Sequence, residues 1–203
     1  SAGVAHLWTR VPSLPSGGAT LKLNYDSNRN NNSRVGSIGT SAGQNVWTSD
    51  YKFSYHMEGN DGATDMDDSS QQNKNITFVN DVDIENIVGQ ITPGRGRLRT
   101  LGSNDYAWIA SSSDFDFDNG DFTLRTWVMF DTFNTVDNFD TFFWGGSGAD
   151  AVDTNFQLDY KDDTNVLRVV VVDNSAADVH SVTWNPSLDT WYLIHAIRTG
   201  NLF

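Results

Sequence analysis

The apolar residues of this chain fall in short runs separated by Gly, Asn or Asp, and no run is long. Those at 76–79, 97–101, 106–109, 122–130, 141–144, 155–160, 166–172, 180–184 and 191–198 each hold enough apolar or β-branched residues for one strand. Their spacing by turn residues is the rhythm of an all-β, antiparallel β-sandwich. Within 122–130, Phe122, Leu124, Val128 and Phe130 share one parity while Trp127 and Met129 take the other, so this strand is expected to be central. The turn Asp162-Asp163-Thr164-Asn165 separates two such runs and predicts an antiparallel hairpin.

The first fifty residues read differently. Strands are expected at 6–11 and 20–25, joined by the Pro- and Gly-rich stretch 12–18 as a hairpin-like unit. Residues 26–44 are Asn, Ser, Gly and Arg with almost no apolar side chain, which suits an exposed loop or linker. The organisation expected is therefore a small N-terminal β unit and linker over 1–50, then a larger sandwich over 51–203. Only 81–91 carries helical spacing, through Val82, Ile84, Ile87 and Val88, with Gly89 and Pro93-Gly94 limiting it to a turn or two.

Composition narrows the picture. Seven Trp, twelve Phe and six Tyr in 203 residues supply a core. Of 26 acidic residues only Glu58 and Glu85 are Glu. Asp suits turns and strand ends, so helix should be scarce. The net charge of −13 repels a nucleic-acid backbone and an anionic membrane, and there is no apolar run long enough to span a bilayer. Neither a nucleic-acid partner nor membrane insertion of this segment is expected. With no Cys, no disulfide framework exists, and the redox compartment stays open.

Several residues could carry chemistry. Asp61, Asp65, Asp67 and Asp68, with Asn60 and Asn73 nearby, concentrate oxygen atoms in one loop. A hard cation such as calcium takes about six to eight oxygen ligands, so Ca2+ at Asp65, Asp67 and Asp68 is one reading and a solvated acidic loop the other. Trp144, followed by Gly145-Gly146-Ser147-Gly148, could offer a ring for stacking a sugar, whereas Trp127, Trp184 and Trp191 sit in strands and are expected to pack. The alternating run 114–121 should place Phe115 and Phe117 on one face and carboxylates on the other. Arg95, Arg97 and Arg99 share one side of a strand and would meet an acidic loop or an anionic glycan. His6, His56, His180 and His195 show no metal-ligand spacing and no neighbouring nucleophile, and are expected to be structural or exposed.

Residues 55–59 (Tyr-His-Met-Glu-Gly), Asp67-Asp68-Ser69-Ser70, Ala107-Trp108-Ile109, residues 121–128 (Asp-Phe-Thr-Leu-Arg-Thr-Trp-Val) and Trp191 with 192–196 occur in an order that resembles laminin-G-like domains. The resemblance covers about 51–203 and implies a concanavalin-A-like jelly roll, incomplete at its C-terminus. Leu7 to Gly18 and residues 21–24 resemble the C-terminal half of an uncharacterised β-domain that often precedes such a sandwich, although Asp26 stands where that domain has Gly. Glucanases on this sandwich use two Glu flanking an Asp on one strand, whereas Glu58 and Glu85 lie 27 positions apart, so no catalysis is expected here. What the resemblance implies is a non-catalytic recognition or adhesion module for a carbohydrate or protein ligand, calcium-stabilised, in an extracellular or surface protein. The alternatives are a structural subunit of a large extracellular assembly such as a virion appendage or surface filament, with copies of itself as partners, and a targeting module of a secreted glycan-active enzyme.

Overall fold

A computed structural model describes residues 8–11, 13–22, 39–57, 63, 65–80, 83–85, 97–99, 106–110, 112–115, 120–133, 139–146, 155–173 and 176–200. The chain divides into two compact units, Ser1–Ala110 and Ser111–Phe203. The boundary expected near residue 50 falls within the first of these. Strands dominate and, among the described residues, every pairing is antiparallel, as the spacing of apolar runs predicted.

The first unit begins, among its described residues, without paired strands: 8–11 and 13–22 join no sheet. The expected turn is there, with the Gly18 amide donating to the Pro15 carbonyl at 2.8 Å. The strands that should flank it are not formed over their described residues. A lone hairpin is marginal without a third strand or an apolar face to cover, and nearly all of these side chains are exposed. The Asn- and Ser-rich stretch, read as loop, holds one helical turn, α1 (Ser41–Gln44), whose N-cap Thr40 accepts through Oγ1 from the Gly43 amide.

A three-stranded sheet follows, built from β1 (Asp65–Met66), β2 (Ile76–Val79) and β5 (Tyr106–Trp108) in the order β1-β2-β5. Met66 pairs with Ile76 and Phe78 with Ala107, so these four share a face. Met66, Ile76 and Phe78 form its buried core, packed by Tyr55, Met57, Ala63, Ala107 and Ile109. A separate pair, β3 (Asp83–Glu85) and β4 (Arg97–Arg99), has Asp83 opposite Arg99 and Glu85 opposite Arg97. Ile84 therefore belongs to a strand, where helical spacing had predicted a turn of helix. Partner pairing overrides a weak period over so few residues, and 86–91 lie outside the described residues. Arg95 does too.

The described residues of the second unit form two sheets. One is β6 (Phe122–Val128) with β11 (Tyr192–Arg198); the other is a meander of β7 (Phe139–Gly146), β8 (Asn155–Lys161), β9 (Val166–Asp173) and β10 (Ala176–Thr183), in the order β10-β9-β8-β7. The hairpin at Asp162 to Asn165 forms as predicted, with Asn165 in the left-handed region at φ 54° and the Tyr160 hydroxyl donating to Asn165 Oδ1 at 3.0 Å. The inner faces of the two sheets meet through buried Phe122 and Phe156, whose ring centroids lie 6.1 Å apart, with Leu124, Leu158, Ile194 and Ala196 around them. This is sandwich packing. At one end Phe130 is ringed by Phe133, Phe142, Tyr160 and Trp184, so Trp184 packs as predicted. Trp127 instead lies on the outer face of β6, about a third exposed. The alternation 114–121 begins in a 3₁₀ turn, Ser113–Phe115, because Ser112 Oγ accepts from the Asp114 amide; Phe115 is buried and 116–119 lie outside the described residues.

Candidate functional site

The acidic loop of the first unit is organised around one carboxylate. Asp68 is completely buried. Its Oδ1 accepts from the amides of Ser54 and Ser70, both at 2.8 Å, and its Oδ2 from the Ser70 hydroxyl at 2.6 Å and the Lys74 amide at 2.9 Å. An ionised carboxylate offers about four lone-pair positions, and all are taken. Asn73, at φ 53°, turns the chain so that the Lys74 amide can reach Asp68, a conformation Asn tolerates better than most residues. Asn75 Oδ1 accepts from the Asp68 amide at 3.0 Å, and its carboxamide donates to Asp67 Oδ1 at 2.9 Å. The Asp68 carboxylate thus clamps 54 to 70 and 74.

The other two residues proposed for calcium do not converge on it. Asp65 is exposed on β1 opposite Thr77, and Asp67 is exposed beside Gly39, where a Cβ would come within 3.1 Å of Asp67 Oδ2. Gly39 is itself left-handed at φ 77°, a backbone conformation that favours glycine. Among the described residues no group of three His, Cys, Asp or Glu side chains is placed to hold a metal ion. Asp61 and Asn60 lie outside the described residues. Trp144 is the register partner of Gln157 in β7, and its side chain also lies outside them.

The clamp positions an aromatic cluster that the sequence reading did not single out. Carboxamides tie the clamped loop to the incoming chain: Gln71 donates to the Trp47 carbonyl at 2.7 Å and Gln72 to the Ser49 carbonyl at 3.3 Å, while Gln44 of the incoming chain donates to Asn73 Oδ1 at 3.2 Å. The Trp47 ring then meets Tyr51 at 4.9 Å, His56 at 5.5 Å and Trp8 at 5.9 Å, and Trp8 lies 4.6 Å from His56. The four rings meet tilted or edge-on, yet Trp8 stays 43% and Tyr51 48% exposed. No family model, curated relative or solved structure matches this chain. Among the described residues no helix is long and apolar enough to cross a membrane.

The electrostatics of the cluster favour neutral rings. Burial holds the His56 imidazole below its usual pKa of 6.5, with the Asp68 carboxylate pulling more weakly the other way. Burial, helped by Asp68, also pushes the Tyr55 phenol up, and its hydroxyl donates to the Lys74 carbonyl. Because folded His56 binds a proton less readily than unfolded His56, its contribution to stability is complete above about pH 6.5 and is lost as pH falls through the folded pKa. His56→Phe, which keeps a ring and never titrates, should therefore shrink the fall in urea midpoint between pH 7 and pH 5. Equal falls in both proteins would show that His56 is not buried against the indoles.

Proposed function

We propose that this chain is a non-catalytic recognition module that binds carbohydrate on the Trp8, Trp47, Tyr51 and His56 cluster, as part of an extracellular or surface protein. The observation that carries this reading is the exposure of Trp8 and Tyr51 while both rings are held in place by neighbours. Large aromatics gain most by burial, so pre-ordered rings left open to water suit a ligand with an apolar face and a polar edge. A pyranose ring is such a ligand, its C–H face fitting an indole and its hydroxyls fitting carboxamides and carbonyls. The net charge of −13 favours neutral sugars over anionic ones.

The resemblance to laminin-G-like domains supports a recognition role, and the all-β architecture agrees with it. The absence of a glucanase-type Glu pair supports a non-catalytic one. A glycan array carrying neutral and anionic glycans tests the reading. Binding to neutral oligosaccharides is expected, weakened about tenfold or more in Trp8→Ala, equivalent to about 1.4 kcal/mol, with little change in melting temperature because Trp8 is half exposed. A flat array, or full binding by Trp8→Ala, would sink the idea. A second reading, a structural subunit of a large extracellular assembly, is favoured by β10, which has no strand partner beyond β9 among the described residues.

A further inference from the structure

The four-stranded sheet of the second unit ends, among the described residues, in two edges of different character. At one edge β7 is interrupted by a bulge between Thr141 and Phe143. Bulges are a common way to spoil an edge for further pairing. At the other edge β10 pairs with β9 over eight consecutive residues, Ala176 with Asp173 through to Thr183 with Val166, with no irregularity. No Lys, Arg or Pro occurs in Ala176–Thr183. Val179 and Val182 are 51% and 58% exposed, although they point to opposite faces of the sheet. Such a strand is long, regular and lightly guarded.

Its sequence is also complementary to itself. When two copies of one edge strand pair antiparallel about a two-fold axis, residues of equal parity face each other, because both must direct their amide and carbonyl groups outward. Three registers centre on the middle of β10. Centring on Asp178 sets two carboxylates against each other, and centring on His180 sets two imidazoles together. Centring on Val179 places Val179 opposite its own copy and Asp178 opposite His180 twice over, with Ala177 facing Ser181 and Ala176 facing Val182. Within one chain Asp178 Oδ2 and His180 Nε2 already lie 3.0 Å apart on one face of the strand. The dimer would alternate carboxylate and imidazole around a square. A carboxylate facing an imidazole can accept its N–H whether or not the ring carries a charge, whereas two facing carboxylates repel, and the His180-centred register leaves Asp178 facing Val182.

We propose that β10 is a self-association edge, through which a second copy of this chain pairs antiparallel in the Val179-centred register to make a continuous eight-stranded sheet. The occupant is a second copy because this register gives each Asp178 carboxylate an imidazole donor, which neither adjacent register does. The proposal is independent of carbohydrate binding, which uses residues of the other unit.

Sedimentation equilibrium over a range from about 1 μM to 1 mM, where edge-paired contacts of modest area are expected to associate, tests it. The wild-type chain should pass from monomer to dimer. Val179→Lys, at an exposed position, sets two ammonium groups together at the axis and should keep the chain monomeric while its circular dichroism stays unchanged. Asp178→Lys alone should weaken the dimer at least tenfold, and combining it with His180→Asp should restore it, since a donor–carboxylate pair is rebuilt with its positions exchanged. A wild-type chain monomeric throughout, or a dimer indifferent to Val179→Lys, overturns the edge. A dimer lost with Val179→Lys but not rescued by the exchange overturns the register.

Discussion

Asp68→Ala should be among the most damaging single changes in the first unit, lowering stability by about 3–5 kcal/mol. Four donors now end on this carboxylate, and alanine leaves the amides of Ser54, Ser70 and Lys74 and the Ser70 hydroxyl without their acceptor. The site is fully buried, so water replaces those bonds poorly. Asp68→Asn should cost less, about 1–3 kcal/mol, because a carboxamide still accepts on one side while its NH2 group opposes the Lys74 amide on the other. Urea titrations with calcium and with chelator separate a clamp from a ligand. The loss should be the same in both, since the carboxylate is filled by N–H and O–H groups. A loss confined to calcium-containing buffer would make Asp68 a metal ligand instead.

In the second unit the largest electrostatic effect should follow from Arg168→Met. Asp159 has no solvent exposure, and Arg168 reaches it across the β8-β9 pair with two parallel bonds, Nε to Oδ1 and Nη2 to Oδ2, each 2.8 Å. The guanidinium also lies 4.7 Å from the centre of the Phe139 ring, which helps hold its plane. Losing the cation strands a buried carboxylate, at a cost of about 3–5 kcal/mol. Removing both charges, as Asp159→Leu with Arg168→Met, should recover most of that loss, because neither group then has to leave water. Arg168→Lys should fall between, since one ammonium cannot supply the parallel pair. Urea midpoints for the single and double variants measure this; simple additivity would show that the two charges are not coupled.

Much of the strand order is legible in the sequence because apolar and β-branched side chains mark each strand locally. β2 and β9 begin where their apolar runs begin, and β8 and β9 meet at the predicted Asp162 to Asn165 turn. β1 was not legible: two residues carry no period, and they form a strand only because β2 lies beside them. Over its described residues the N-terminal hairpin does not form, for the converse reason: local strand propensity meets no third strand there. The acidic loop shows a different limit. Clustered Asp residues look the same whether their oxygens face a cation or backbone amides. The neighbours were the better guide: Ser70 two residues after Asp68, and Asn75 beyond, are types that bond locally to the backbone and side chains around a turn.

The aromatic cluster could not be read from spacing. Trp8 and Trp47 stand far apart in the chain, and the carboxamides of Gln71 and Gln72 help bring the second into place. Their signal was indirect, in a polar loop that carries two Gln beside a buried Asp. Trp144 was singled out because it precedes a Gly-rich stretch, and its side chain lies outside the described residues.

The most direct measurement is a titration of the 15N-labelled chain with the neutral oligosaccharide that binds best on the array, following the seven tryptophan indole resonances. The account predicts saturable shifts at Trp8 and Trp47, with Trp184 unmoved in its packed position. Shifts centred on Trp108, Trp127 or Trp144, with Trp8 and Trp47 unchanged, would place the site elsewhere and contradict it.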